Sequence, residues 1–211
     1  MYPMDVYYYE MMETLRMMAP MLIFLGVLWI GLIVGGILNY VFRGVGILKM
    51  SQNRGISGGA LGFVPIAHRY QLGKLAGNIE FGNKKINNPG LWEVLLPIIL
   101  GAVATLSYIA IFVWFFVRIF ALEATGAIND PAAMYGMMNT FFVWLILWIA
   151  IVTVANVILM LFKGLILHRI FALYVGGQKP VFYLILALFV PLAESILLFK
   201  LRNKPVVNSD I

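Results

Sequence analysis

The sequence predicts an all-α, polytopic membrane protein. The expected architecture is a helical bundle of three to four transmembrane helices, two Pro-containing helices that re-enter or lie at the interface, and an internal parallel repeat. Three observations lead there. Of 211 residues, 63% are hydrophobic and only 11% charged, with a mean hydropathy of +0.95. A soluble domain carries about 25% charged residues, and a chain this short cannot hide so much apolar surface in a core. Several apolar runs reach the roughly 20 residues that a helix needs to cross the hydrocarbon layer. Finally, Phe63-Val64-Pro65-Ile66-Ala67 returns as Phe189-Val190-Pro191-Leu192-Ala193, and at the same offset Leu72, Lys74 and Leu75 fall on Leu198, Lys200 and Leu201. A phrase repeated in register marks two related units, and in a membrane protein it constrains topology.

Met1 to Met18 carries Asp5, Glu10 and Glu13 against Arg16 alone. A secretory signal starts with a positive region and a shorter apolar core, so the first apolar segment is expected to stay as an anchor. Tyr2, Tyr7, Tyr8 and Tyr9 suit a headgroup-level belt or an ordinary surface strip. The first span runs from about Ala19 to Phe42. Gly31 and Gly35 form a GxxxG pair in it, and small residues let helix backbones approach closely, within a monomer or at a homodimer seam.

The next apolar stretch, Ile56 to Ala67, is too short to span and holds Gly58, Gly59 and Gly62, which fits a re-entrant or interfacial segment. The second span runs from about Leu91 to Phe120 and the third from about Met137 to Phe162. Val181 to Phe199 is long enough for a fourth, but Pro191 and Glu194 interrupt it. The chain thus reads as one integral membrane domain over residues 1–211, with unit one at about 19–80, a linking helix at about 91–120 and unit two at about 137–204.

Charge placement chooses between three and four spans. The stretches Arg43 to Pro89, Lys163 to Pro180 and Lys200 to Lys204 hold 13 of the 15 Lys and Arg residues, while the loop from Ala121 to Gly136 holds none. Basic residues favour the cytoplasmic side. Three spans and two returning Pro elements put all three basic stretches inside, with the N-terminus outside and the C-terminus cytoplasmic. A fourth span at Val181 to Phe199 would put the second basic stretch and the tail on opposite sides. The partners this implies are the lipid bilayer and anionic headgroups at the cytoplasmic connectors, together with a second copy or another membrane-complex subunit. The net charge of +6 is explained by orientation and lipid, so no nucleic acid is expected.

Pro65 and Pro191 break helices, because proline removes a hydrogen bond and clashes with the carbonyl four residues back. A break of this kind is expected beside water or buried in protein, or as a hairpin apex or helix start. The constant offset sets His68 against Glu194 and Arg69 against Ser195. A carboxylate in an apolar stretch is costly and usually paired, so Glu194 is expected to pair with His68 or Arg69 across the repeat interface, or to sit at headgroup depth near Lys200. Glu93 reads as an acid complementing a helix dipole. Asn39, Asn156, Thr105, Ser107 and Thr153 read as hydrogen bonds between helices or a pore lining, and His168 and Arg169 as side chains snorkelling to the interface.

Catalytic inventories are thin. There is no cysteine, hence no disulfide, thiolate nucleophile or Cys-ligated metal. His68 and His168 lie in no HExxH motif, no GxSxG occurs, and the glycines at 55, 58, 59 and 62 precede no GKS or GKT of a phosphate loop. No enzyme activity, metal or cofactor is expected.

Lys49-Met50-Ser51-Gln52-Asn53-Arg54-Gly55-Ile56, running into the first Pro phrase and Leu72-Gly73-Lys74-Leu75-Ala76, resembles small multi-pass membrane proteins of Gram-positive, often gut-dwelling bacteria. Leu173 to Lys204 resembles their second half, ending in Phe199-Lys200-Leu201-Arg202-Asn203-Lys204. Where many of those proteins carry Trp, this chain has Gly59, Leu61 and Gly62. The resemblance implies a helical membrane fold and supplies neither a catalytic residue nor a ligand. Two functions stay open: an interaction or assembly subunit, or a small transporter or channel using the Pro-broken segments and Glu194.

Overall fold

The structure, a computed structural model, describes residues 4–81, 84–175 and 179–207. Among them six α-helices follow one another: α1 (Met4–Asn53), α2 (Ala67–Ala76), α3 (Pro89–Ala124), α4 (Pro131–Tyr174), α5 (Lys179–Phe189) and α6 (Ala193–Leu201). Three helices, α1, α3 and α4, are long and apolar enough to cross a membrane. Their most apolar 18-residue stretches are not buried at all within the chain, as expected of surface that meets lipid rather than protein. The all-helical prediction needs one addition. A short antiparallel ribbon, β1 (Ile79–Phe81) with β2 (Lys84–Ile86), joins α2 to α3 and pairs Ile79 with Ile86 and Glu80 with Lys85.

The long helices overrun the predicted spans. α1 has 50 residues, about 75 Å at 1.5 Å per residue, and continues from Phe42 to Asn53. α4 continues from Phe162 to Tyr174. Lys and Arg end an apolar run, yet they are good helix formers, so the helices carry on through Arg43 and Lys163. Each stop has a local cause. After α1, Gly55 adopts φ 64° and donates to the Gln52 carbonyl while Ile56 donates to that of Ser51, the paired bonds of a Schellman cap. Gly126, at φ 74°, ends α3 in a related way. α4 starts where the Asp130 carboxylate accepts from the Ala132 N–H, with Pro131 at the first position.

The core lies in these overrunning ends. Ile47 and Met50 of α1, Leu72 and Leu75 of α2, Ile166, Leu167, Ile170 and Phe171 of α4, and Leu198 and Leu201 of α6 are all buried to within 2%. α1 packs on α6 and on the 3-10 turn Gly59–Phe63, α2 on α3, and α4 on α5. α3 and α4 form an antiparallel pair sealed by Tyr108 against Trp148 and Phe115 against Phe141, with the Trp148 indole N–H donating to the Ala104 carbonyl at 3.0 Å. Two backbone crossings are close enough to require glycine. A Cβ on Gly46 would meet the Leu198 carbonyl carbon at 2.9 Å, and one on Gly73 would overlap the backbone of Gly90.

The Val181 to Phe199 segment is two helices, not one. α5 ends at Phe189 and α6 begins at Ala193. At 11 residues, α5 is about 16 Å long, half the hydrocarbon thickness. Likewise Ile56 to Ala67 holds only the 3-10 turn, and α2 begins beyond Pro65. Both Pro phrases put the residue after proline at positive φ, but the turns differ: the Ala67 N–H donates to the Pro65 carbonyl, whereas the Ala193 N–H donates to the Val190 carbonyl. Ile66 and Leu192, each following its proline, adopt φ 70° and φ 66°, a region that side chains rarely enter.

Candidate functional site

The polar side chains collect where the spans meet the core. Glu194, in the first turn of α6, has only 8% of its side chain exposed. Its Oε2 lies 2.5 Å from Lys163 Nζ of α4, and its Oε1 lies 3.5 Å from Arg43 Nε of α1. Arg43 reaches further: Nη1 donates to His68 Nε2 of α2 at 3.3 Å, and Nη2 to Asn39 Oδ1 at 3.4 Å. Ser195 Oγ also donates to Asn39 Oδ1. One carboxylate thus ties α1, α4 and α6 together, and Arg43 extends the cluster to α2. Its position at the start of α6 adds the favourable end of the helix dipole.

A second acid stands beside the first. Glu93 of α3 is 95% buried and lines a cavity of about 280 Å³ with Arg69, Asn156, Lys163 and Pro97. It lies beyond the first turn of α3, so the Arg69 and Lys163 charges explain it better than the helix dipole does. Lys163 faces both acids. A buried pair of carboxylates needs such cations, since desolvating an uncompensated charge costs several kcal/mol.

The two cations come from similar local sequences. Phe42-Arg43-Gly44 recurs as Phe162-Lys163-Gly164, and Arg43 and Lys163 bring the two cations to Glu194. His68 does not contact Glu194; it reaches it through Arg43. Arg69 sits toward Glu93. Pro65 and Pro191 lie just before α2 and α6 and aim them into the cluster. Gly31 and Gly35 are remote: nothing lies within 4 Å of a Cβ built on either. Sequence reasoning assigned Arg43 and Lys163 to connectors and so missed them as partners. The recurrence of Phe-Arg-Gly as Phe-Lys-Gly was a signal for them, although its offset of 120 departs from the 126 of the Pro phrases. Ser107, Thr153 and Asn156 each bond a carbonyl of their own helix, which does not draw them into a common lining. Among the described residues, no group of three or more His, Cys, Asp or Glu is placed to hold a metal.

No family model, curated protein or solved structure matches this chain. The cluster therefore has to be read from its own chemistry. Arg43 can only donate, so His68 Nε2 accepts and the imidazole is neutral with its proton on Nδ1. Burial first, and then the Arg43 and Arg69 charges, hold His68 below its ordinary value. An unfolded imidazole takes its proton near pH 6.5. Between the two values the unfolded chain binds more protons, so His68 contributes stability above about pH 6.5 that is lost as pH falls toward its lowered value. His68→Gln should flatten the fall in thermal stability as pH drops below about 6.5. An unchanged slope in detergent melts would remove His68 from the network.

Proposed function

We propose that this chain is an integral membrane protein of the cell membrane with three spans and two parallel units, and that it acts as a non-enzymatic assembly subunit, pairing with a second copy through α1. One observation carries the reading. α1 packs on the rest of the chain through its C-terminal end, while Gly26, Gly31, Gly35 and Gly36 face open space. A GxxxG face with no internal partner is what a helix dimer uses. The matched phrases and the positive φ after each proline support the parallel duplication. The basic connectors at the core end support a cytoplasmic C-terminus and contact with anionic headgroups.

The chain has no native cysteine, so single cysteines report cleanly. Gly35→Cys should cross-link into dimers in nanodiscs or native membranes, whereas Val34→Cys, a step around the helix, should cross-link far less. Equal yields at both positions would discard the α1 seam. Val207→Cys should label only from the cytoplasmic side; labelling from outside would overturn the three-span orientation.

A second reading, a small transporter or channel, draws on the polar cavity beside Lys163 and Glu93. It requires ion or solute flux in proteoliposomes that Glu93→Gln abolishes.

A further inference from the structure

At the end of the molecule farthest along α1 lies a second polar cavity that the ion-pair cluster does not use. It measures about 290 Å³ and is bounded by Arg54, Gly77, Asn78, Glu80, Lys85 and Arg169. Ligand cavities run from roughly 300 Å³ upward, so it suits a small group. Its charges are unequal. Glu80, the one acid of the lining, stands opposite Lys85 in the β1–β2 ribbon. Arg54, Arg169 and Lys85 set three positive charges against that single carboxylate, so the cavity lining is net positive.

Both are positioned by the fold. Arg54 follows the last residue of α1, and its Nη1 donates to the Leu75 carbonyl at the end of α2, which fixes the side chain and leaves further N–H groups to offer. Arg169 stands on α4 among the core residues Ile166, Leu167 and Ile170. Its Nε is buried and has no hydrogen-bond partner among the described residues. A buried charged donor left unmade is costly, so an acceptor that reaches the guanidinium from the cavity is the natural occupant. Two guanidinium groups converging on one small cavity match the oxygens of a phosphoryl group, which planar forks bind in a bidentate manner.

We propose that this cavity binds a phosphate-bearing anion between Arg54 and Arg169, with Lys85 and Asn78 at its rim. Two sources share that chemistry, a soluble phosphorylated compound and a lipid headgroup. Depth favours the soluble one. Arg169 follows Phe162 by about 10 Å along α4, and Arg54 follows Phe42 by about 18 Å along α1, whereas the headgroup layer is only about 5–8 Å deep on each side. The soluble source is independent of how the chain oligomerises. The lipid source deepens the proposed contact of the basic connectors with anionic headgroups and rests on that reading.

The test uses the full chain in nanodiscs. Pyrophosphate is titrated calorimetrically into protein in phosphatidylcholine discs, and in a separate arm thermal stability is compared between phosphatidylcholine discs with and without phosphatidic acid. A soluble ligand predicts saturable pyrophosphate binding, weakened about tenfold or more by Arg169→Gln through loss of a charged hydrogen bond. A lipid ligand predicts no pyrophosphate binding but a phosphatidic acid stabilisation that Arg169→Gln removes. Lys85→Glu, on the exposed rim, should weaken whichever ligand binds, and it guards against misfolding of the Arg169 variant. Lys200→Gln, outside the cavity, should leave pyrophosphate binding unchanged. If neither probe responds to Arg169 or Lys85, the site does not exist. If phosphatidic acid stabilises all variants equally, headgroup contact is diffuse: the cavity proposal fails and the basic-connector reading stands.

Discussion

Glu194→Ala is expected to lower the stability of the folded protein by about 3–5 kcal/mol, the usual cost of removing one partner from a buried ion pair. The carboxylate is 8% exposed and holds Arg43 and Lys163 at 3.5 Å and 2.5 Å. Without it, two cations from α1 and α4 face each other with no anion between them, and Arg43 retains only His68 and Asn39. Lys163→Ala should cost less, since its side chain is 35% exposed and partly solvated when unpaired. Replacing all three charges at once by apolar residues of similar size, Arg43→Met, Lys163→Met and Glu194→Leu, should recover most of the loss, because an apolar contact escapes the desolvation cost of ions. Unfolding titrations of the purified protein in mixed detergent decide it. A Glu194→Ala variant within about 0.5 kcal/mol of the parent, the range of ordinary surface changes, would mean that the cluster does not hold the helices together.

Gly73→Ala and Gly90→Ala should each destabilise the α2–α3 contact by about 1–3 kcal/mol, the range of overpacked cores. The Cβ at position 73 would overlap the backbone N and Cα of Gly90, and one at position 90 would overlap the Tyr70 carbonyl oxygen. Backbone cannot swing aside as a side chain can, so the two helices would have to separate. The double variant should cost less than the two singles together, because both relieve themselves through the same separation. Gly101→Ala supplies the control: its Cβ meets nothing within 4 Å, and its melting temperature should hold or rise slightly. Equal losses at positions 73, 90 and 101 would point to a general intolerance of methyl groups rather than to the crossing.

The three long helices were legible because lipid-facing helices need unbroken apolar runs, and those runs are plain in the sequence. Their ends were not. A hydropathy run stops at Arg43 and Lys163, but the helical backbone has no reason to stop there, and the core was hidden in the ten or so residues beyond, about three turns. The interruption at Pro191 was legible as a break, and the structure fixes its outcome as two short helices. The ribbon gave no warning, since three-residue strands carry too little alternation to be read. Glu194 stood out as a carboxylate in apolar surroundings, yet its partners came from helices whose basic residues read as loop charges. Pairing partners depend on how α1 and α6 cross at Gly46 and Leu198, which no local pattern encodes.

The reach of α1 has a mechanical consequence. The helix is gripped from Asn39 to Asn53, roughly 20 Å of its length, and roughly 50 Å extends beyond the grip. That makes it a lever with unequal arms. A tilt of about 10° at the grip would carry the far tip through roughly 9 Å, and a load on the tip would return to the grip multiplied about two and a half times. Arg43, His68 and Asn39 sit at that fulcrum, so they are where any force borne by the far end of α1 must be resisted.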